Sequence, residues 1–222
     1  MLRRDLIEKT EEFVKHKFDE GEYFCSHPED KAYRLEHTYR VANIGREIAK
    51  EEGFDETEMV LACLLHDVSY CETFGEEGNW PKWKDHGRAA AMIARPFLTE
   101  LGLPKDRIQD ICYGIAIHVD YESDFPGEKT PFALAICEAD NIDRFDVYRI
   151  HETLANDGFL GMSFDEKMAY VEKRLARLNE LEDVPIMVSG ASKRMWKTRL
   201  VFYREFYQKL ADQLRSSTEV FD

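Results

Sequence analysis

Apolar residues recur along most of the chain at steps of three and four, the spacing that lines one face of an α-helix. Val41, Ile44 and Ile48 form one such stripe, and Ile108, Ile111 and Ile115 another. Met168, Val171, Leu175 and Leu178 continue the pattern, and Trp196, Leu200, Tyr203, Tyr207, Leu210 and Leu214 close it. Helix punctuation separates the stripes. Gly53 and Gly102 suit the left-handed position just past a helix end, Thr130-Pro131 suits a helix start, and Ser163-Phe-Asp-Glu166 reads as a capping box.

The pattern predicts helices from about Leu2 to Phe18, from Glu29 or Asp30 to Gly53, and from Asp55 or Thr57 through His66. Further helices are expected from Asp85 to Gly102, from Asp106 to His118, and from Thr130 to at least Asp146. Two more follow, one opening at Ser163 and one carrying Trp196 to Leu214. Two polar stretches, CETFGEEGNWPKWKD and VDYESDFPGEK, read as long loops. The segment EDVPIMVSGAS alone resembles a linker, but the amphipathic helices on either side of it need a common partner. The expectation is therefore an all-α fold in one domain, residues 1–222. Its core covers about 30–150, and helices at about 163–217 form a C-terminal extension.

Composition supports helix over sheet. The 222 residues include only 12 Gly and 7 Pro, too few to turn a sandwich of many short strands. A chain of this length buries roughly 70–75% of its unfolded surface, so a sizeable core is available. The 44 acidic against 30 basic residues leave a net charge of −14, which disfavours polymeric nucleic acid and anionic membranes and points to a small-molecule partner. No apolar run approaches the roughly 18 residues of a membrane span, and the opening MLRRDLIEKTEEFVKHKF is broken by charges, so a cytoplasmic protein is expected. Cys25, Cys63, Cys71, Cys112 and Cys137 are odd in number and form no CxxC pair, which reads as reduced core thiols.

Several ionisable residues fall on the apolar stripes. His37 is in register with Val41, Ile44 and Ile48, and His66 with Met59, Ala62 and Cys63. His86 shares a face with Ala90, Ile93 and Phe97, His118 follows Ile115, and Asp140 extends Ala133 and Ile136. A lone histidine in such a place is ordinarily a core residue donating to a carbonyl. Four imidazoles and two carboxylates, counting Asp67, would each need its own solution to the cost of losing water, whereas one metal centre solves all of them together.

His37, the adjacent pair His66-Asp67 and the distant Asp140 match the H…HD…D signature of the HD-domain metal-dependent phosphohydrolase superfamily, and the chain resembles that family over about residues 30–150. His86 and His118 look like the extra histidines of members that hold two metals. The resemblance implies that His37, His66, Asp67 and Asp140 bind one ion, and that Asp67 bridges to a second held by His86 and His118. Either ion would be a divalent transition metal: Fe, Mn, Co, Ni or Zn. Where relatives often continue the pair with glycine and then Lys or Arg, this chain reads HDVSY, which leaves the substrate open.

Paired ions about 3.5–4 Å apart activate a shared water and clamp the oxygens of an in-line displacement. The reading is thus a phosphohydrolase acting on a nucleotide or another small phosphorylated metabolite, with Asp67 at its centre. Arg144 and Asp143, near Asp140, are candidates for contacting phosphate or orienting ligands. Lys82, Lys84 and Arg88 flank His86, and with Trp80 and Trp83 they suggest a lid that offers cations to phosphate and aromatic faces to a base. Lys84 is the candidate catalytic cation there. A second basic group, Lys193, Arg194, Lys197 and Arg199, reads as a solvated helix face. The same ligand set also fits a di-iron oxygenase of the myo-inositol-oxygenase-like type, and a nucleotide sensor without turnover is the third reading.

Overall fold

The computed structural model describes residues 2–73, 85–182 and 188–218. It is helical, with no strand among the described residues. The chain divides into two compact units: Met1–Asp143 with Val188–Ser192, and Arg144–Met187 with Lys193–Asp222.

The first unit begins with α1 (Arg4–Glu20) and a short α2 (Glu22–Ser26), followed by the long α3 (Pro28–Glu52) and α4 (Glu56–Leu65). After a one-turn helix, α5 (Tyr70–Thr73), come α6 (His86–Glu100), α7 (Lys105–Ile117) and α8 (Pro131–Asp143). Local chemistry sets the boundaries. Gly53 closes α3 at φ 77°, and the Asp55 carboxylate opens α4 by accepting from the Glu58 amide at 2.9 Å. Thr130 Oγ1 accepts from the Ala133 amide at 3.0 Å, so Pro131 sits at the first position of α8, where its missing N–H costs nothing.

α4 is the axis of this unit. The sequence ETEMVLACLL leaves every residue from Thr57 to Leu65 buried, because α1, α3, α7 and α8 all pack against it. Gly45 lets α3 come close: a Cβ there would stand 2.5 Å from Cys63 Sγ. α4 stops at the turn His66–Ser69, which is buried as well.

In the second unit, α9 (Val147–Asn156) and a 3-10 turn (Phe159–Gly161) precede α10 (Phe164–Glu182) and most of α11 (Gly190–Ser216). Tyr170 and Arg174 of α10 both bond the Asp157 carboxylate, at 2.8 and 2.6 Å. Phe145 packs edge-on against Trp196 and Tyr203, and Tyr207 is fully buried. The first turn of α11 clusters with the first unit, where Glu52 Oε1 accepts from the Ala191 amide at 2.7 Å.

The structure corrects several expectations. The helix from Thr130 ends at Asp143 rather than running past Asp146, because Asp146 turns its carboxylate onto the Val147 amide at 2.8 Å and caps α9 instead. Residues 71–73 of the first long loop are helical, and the remainder, residues 74–84, lies outside the described residues. Of the five thiols, all free, Cys63, Cys112 and Cys137 are buried, but Cys71 is half-buried and Cys25 is exposed, on a helix too short to present a continuous stripe. Lys193, Arg194 and Lys197 are exposed, while Arg199 pairs with Asp146 at 2.8 Å. No helix among the described residues is long and apolar enough to cross a membrane.

Candidate metal centre

Five helices bring six side chains together. His37 comes from the middle of α3, His66 and Asp67 follow the end of α4, and His86 opens α6. His118 closes α7 and Asp140 lies near the end of α8. All six are at most 4% exposed.

Asp67 is the hub. Its Oδ2 stands 3.3 Å from His66 Nε2 and 3.6 Å from His37 Nε2. Its Oδ1 stands 3.3 Å from His86 Nε2 and 3.4 Å from His118 Nε2. One carboxylate thus offers a different oxygen to each pair of imidazoles. Asp140 adds Oδ1 at 3.3 Å from His37 Nε2. Two donor triplets result, His37-His66-Asp67 and Asp67-His86-His118, each with ligand atoms within 4.8 Å of one another.

The helix ends that carry His66 and His118 also orient them. The last carbonyls of a helix lack intrahelical donors, and both residues use Nδ1–H to satisfy one, Cys63 O and Ile115 O, each at 2.7 Å. His37 donates Nδ1–H to Asp143 Oδ2 at 2.8 Å. With Nδ1 committed as donor, each neutral ring turns the Nε2 lone pair inward. The Nε2 atoms meet in pairs: those of His37 and His66 are 3.3 Å apart, and those of His86 and His118 are 3.0 Å apart. Two ring nitrogens at that distance need a shared proton or a metal cation between them. Imidazole nitrogens and carboxylate oxygens are the donors that divalent first-row metals take, so the residues fit such ions.

Charge distribution agrees. Burial alone would push Asp67 up, but His66, His118 and His86 outweigh it and hold its carboxyl well below the usual carboxylate range. Burial likewise works against a charged His37, yet hydrogen bonds to Asp140 and Asp143, with the charges of Asp140 and Asp67 behind them, raise it to about 9. Asp143, despite burial, is lowered by His37 and by Arg40, whose Nε reaches Oδ1 at 2.8 Å.

Close packing joins the two His-bearing ends. A Cβ on Gly87 would stand 2.9 Å from the carbonyl oxygens of both Ile115 and Ala116, so glycine lets the start of α6 lie against the end of α7. Ser69 Oγ donates to the His86 carbonyl at 2.8 Å, and the Tyr70 ring stacks on His86 with centroids 4.8 Å apart. The V-S-Y that follows the H-D pair here therefore ties the turn to α6.

Sequence reasoning passed over Arg34. It lies three residues before His37, on the same face of α3, and that spacing was the available signal. Its guanidinium reaches Asp67 Oδ2 at 3.3 Å and lies 4.3 Å over the Tyr70 ring. Asp143 is where the sequence suggested, beside the ligands, but it orients His37 and pairs with Arg40. Arg144 is exposed, in the turn after α8, and belongs to the second unit. Arg88 is half-exposed and pairs with Asp124 at 2.6 Å. Lys82, Lys84, Trp80 and Trp83, the suggested lid, lie outside the described residues.

The HD domain family model matches residues 34–144, half of the chain. Among solved structures, the chain is similar to a predicted HD superfamily hydrolase from an uncultured Thermotogales bacterium. The TM-score is 0.62 at 19% identity, covering 93% of this chain and 91% of that one. A search of curated proteins found no match.

Proposed function

Since the chain belongs to the HD-domain family, a superfamily of metal-dependent hydrolases, we propose that it hydrolyses a phosphate ester or phosphoanhydride of a nucleotide or another small phosphorylated metabolite. The observation that carries this reading is the division of Asp67, one oxygen toward His37 and His66 and the other toward His86 and His118.

His37, His66, Asp67 and Asp140 would hold one divalent ion, and Asp67, His86 and His118 a second. Ions so placed supply an activated water and charge stabilisation for an in-line displacement at phosphorus. The protein's own contribution is to fix the ligands on helix ends, to keep the surroundings apolar, and to place a cation nearby. Leu65, Val68, Ile115 and Ile117, all fully buried, lie within three residues of a ligand and make its surroundings apolar. Arg34, partly exposed at 17%, carries a planar fork beside Asp67 that suits a phosphoryl oxygen.

The deciding experiment loads chelator-stripped protein with Mn, Fe, Co, Ni or Zn and screens nucleotides and simple phosphate esters for released phosphate or pyrophosphate. Turnover abolished by Asp67→Asn supports the proposal. Oxygen consumption by iron-loaded protein with no phosphate release would replace it with oxygenase chemistry. Nucleotide-dependent thermal stabilisation without turnover under any metal would replace it with a sensor.

A further inference from the structure

We propose that Tyr70 is a positioning residue whose ring holds the Arg34 guanidinium in the orientation that meets a phosphoryl group, and that the elbow between α1 and α2 holds Tyr70 in turn. This rests on the reading above for the phosphate that Arg34 is to meet.

Tyr70 stands three residues after Asp67 in a tight turn, closed where the Tyr70 amide donates to the Asp67 carbonyl at 3.0 Å. The turn brings its ring, 6% exposed, against Arg34, whose guanidinium carbon lies 4.3 Å from the ring centroid. The Tyr33 ring lies 5.4 Å from the same carbon. An arginine side chain swings about several torsions, and a single hydrogen bond, such as the one from Arg34 to Asp67 Oδ2 at 3.3 Å, fixes a point of the fork rather than its plane. An aromatic face sets the plane. A guanidinium over a π face is held by the ring and still offers N–H donors along its edge. The Tyr70 ring also stacks on His86, with centroids 4.8 Å apart. That imidazole turns on fewer torsions and meets Asp67 Oδ1 at 3.3 Å and His118 at 3.0 Å, so it depends less on the ring than Arg34 does.

α5 is itself supported from outside the centre. α1 and α2 both pack on it, and at Gly21 the elbow between them leaves no room for a side chain. A Cβ there would stand 2.9 Å from the Cys71 carbonyl oxygen and 3.3 Å from Cys71 Cα. Cys71 directly follows Tyr70, so a displacement of its main chain moves the ring.

The test measures binding of inorganic phosphate to Mn(II)-loaded, full-length protein by calorimetry, with metal content determined alongside. Tyr70→Phe keeps the ring and serves as the reference, so that any bond of the hydroxyl drops out of the comparison. Tyr70→Leu should bind phosphate roughly tenfold more weakly than Tyr70→Phe, with equal metal content. In an Arg34→Ala background that difference should fall below about twofold, since the ring then has no guanidinium to hold. Gly21→Ala, remote from every ligand, should weaken phosphate binding severalfold and lose that effect in the same background. It carries the test if Tyr70→Leu does not fold by circular dichroism. Equal affinity in the two Tyr70 variants, a difference that survives Arg34→Ala, or loss of metal in Tyr70→Leu overturns the inference and leaves the hydrolase reading standing. The expected pattern of phosphate binding without hydrolysis of any phosphate ester or anhydride overturns that reading and leaves the inference standing. A wild type that binds no phosphate overturns both.

Discussion

His86 and His118 present their Nε2 atoms to each other across 3.0 Å, although His118 has already committed its Nδ1 proton to the Ile115 carbonyl. The pair needs a shared proton or a cation between the rings, and a divalent ion can be held by both rings and by Asp67 Oδ1 at once. Divalent metal should therefore stabilise the fold. At a free concentration about a hundredfold above Kd, one bound ion adds about 2.7 kcal/mol, or roughly 5–10 °C in melting temperature for a chain of this size. Differential scanning fluorimetry with Mn(II) against chelator reads this directly. His118→Ala should lose part of the increment, and an unchanged increment would show that the ion binds elsewhere.

The pH dependence of stability should change sign with metal. Without it, His37 titrates near 9 in the folded protein against an ordinary value near 6.5. Its contribution is then fully present below about 6.5 and fades as pH rises through 9. With metal, the ion takes the place of that proton, and raising pH through the same window should strengthen binding. Melting temperatures of stripped protein should thus fall between pH 6.5 and 9 while those of loaded protein do not. Parallel curves would contradict the assignment of His37. At the acid end, Asp67 and Asp143 are both lowered, so their contributions are lost in either form as pH drops below the usual carboxylate range.

Gly87→Ala should damage the centre without touching a ligand. The added methyl meets two main-chain oxygens at 2.9 Å, which cannot swing away as a flexible side chain would. Overpacking of this kind costs about 1–3 kcal/mol. It should also separate His86 from His118, so metal analysis should find the protein short of the ion held by Asp67, His86 and His118. Full metal content with normal stability would refute the close-approach argument.

Arg34 should act on substrate binding more than on the fold. If it meets a phosphoryl oxygen, Arg34→Ala should raise KM for a phosphate ester by roughly tenfold or more, the worth of a charge-assisted hydrogen bond, with a smaller change in kcat. Arg34→Lys keeps the charge but loses the fork and should fall between. A metal titration on the same variants separates this from a role in steadying Asp67. Unchanged KM with reduced metal affinity would assign Arg34 to the carboxylate.

Much of the centre was readable because helical periodicity exposes misplaced polarity. His37, His66 and His118 stand where apolar residues belong, and capping signals at Asp55, Gly53 and Thr130 placed the helices that carry them. Arg34 and Gly87 were harder to read. One is a charged residue whose sole signal is its spacing from His37, and the other a small residue whose use depends on the neighbour it admits. Asp146 misled for a related reason: a carboxylate there suits either a helix interior or a cap, and the Val147 amide decides between them.

The helical class, the approximate helix positions and the set of buried imidazoles and acids were legible from the chain alone, since each follows from local spacing and from the cost of burying polar groups. The packing of helices far apart in the chain is what divides the Asp67 oxygens between two histidine pairs, sets Asp143 rather than a carbonyl behind His37, and brings Arg34 to the hub. Those facts depend on where helices distant in the chain come to rest against α4, and a period of three to four residues carries no information about that.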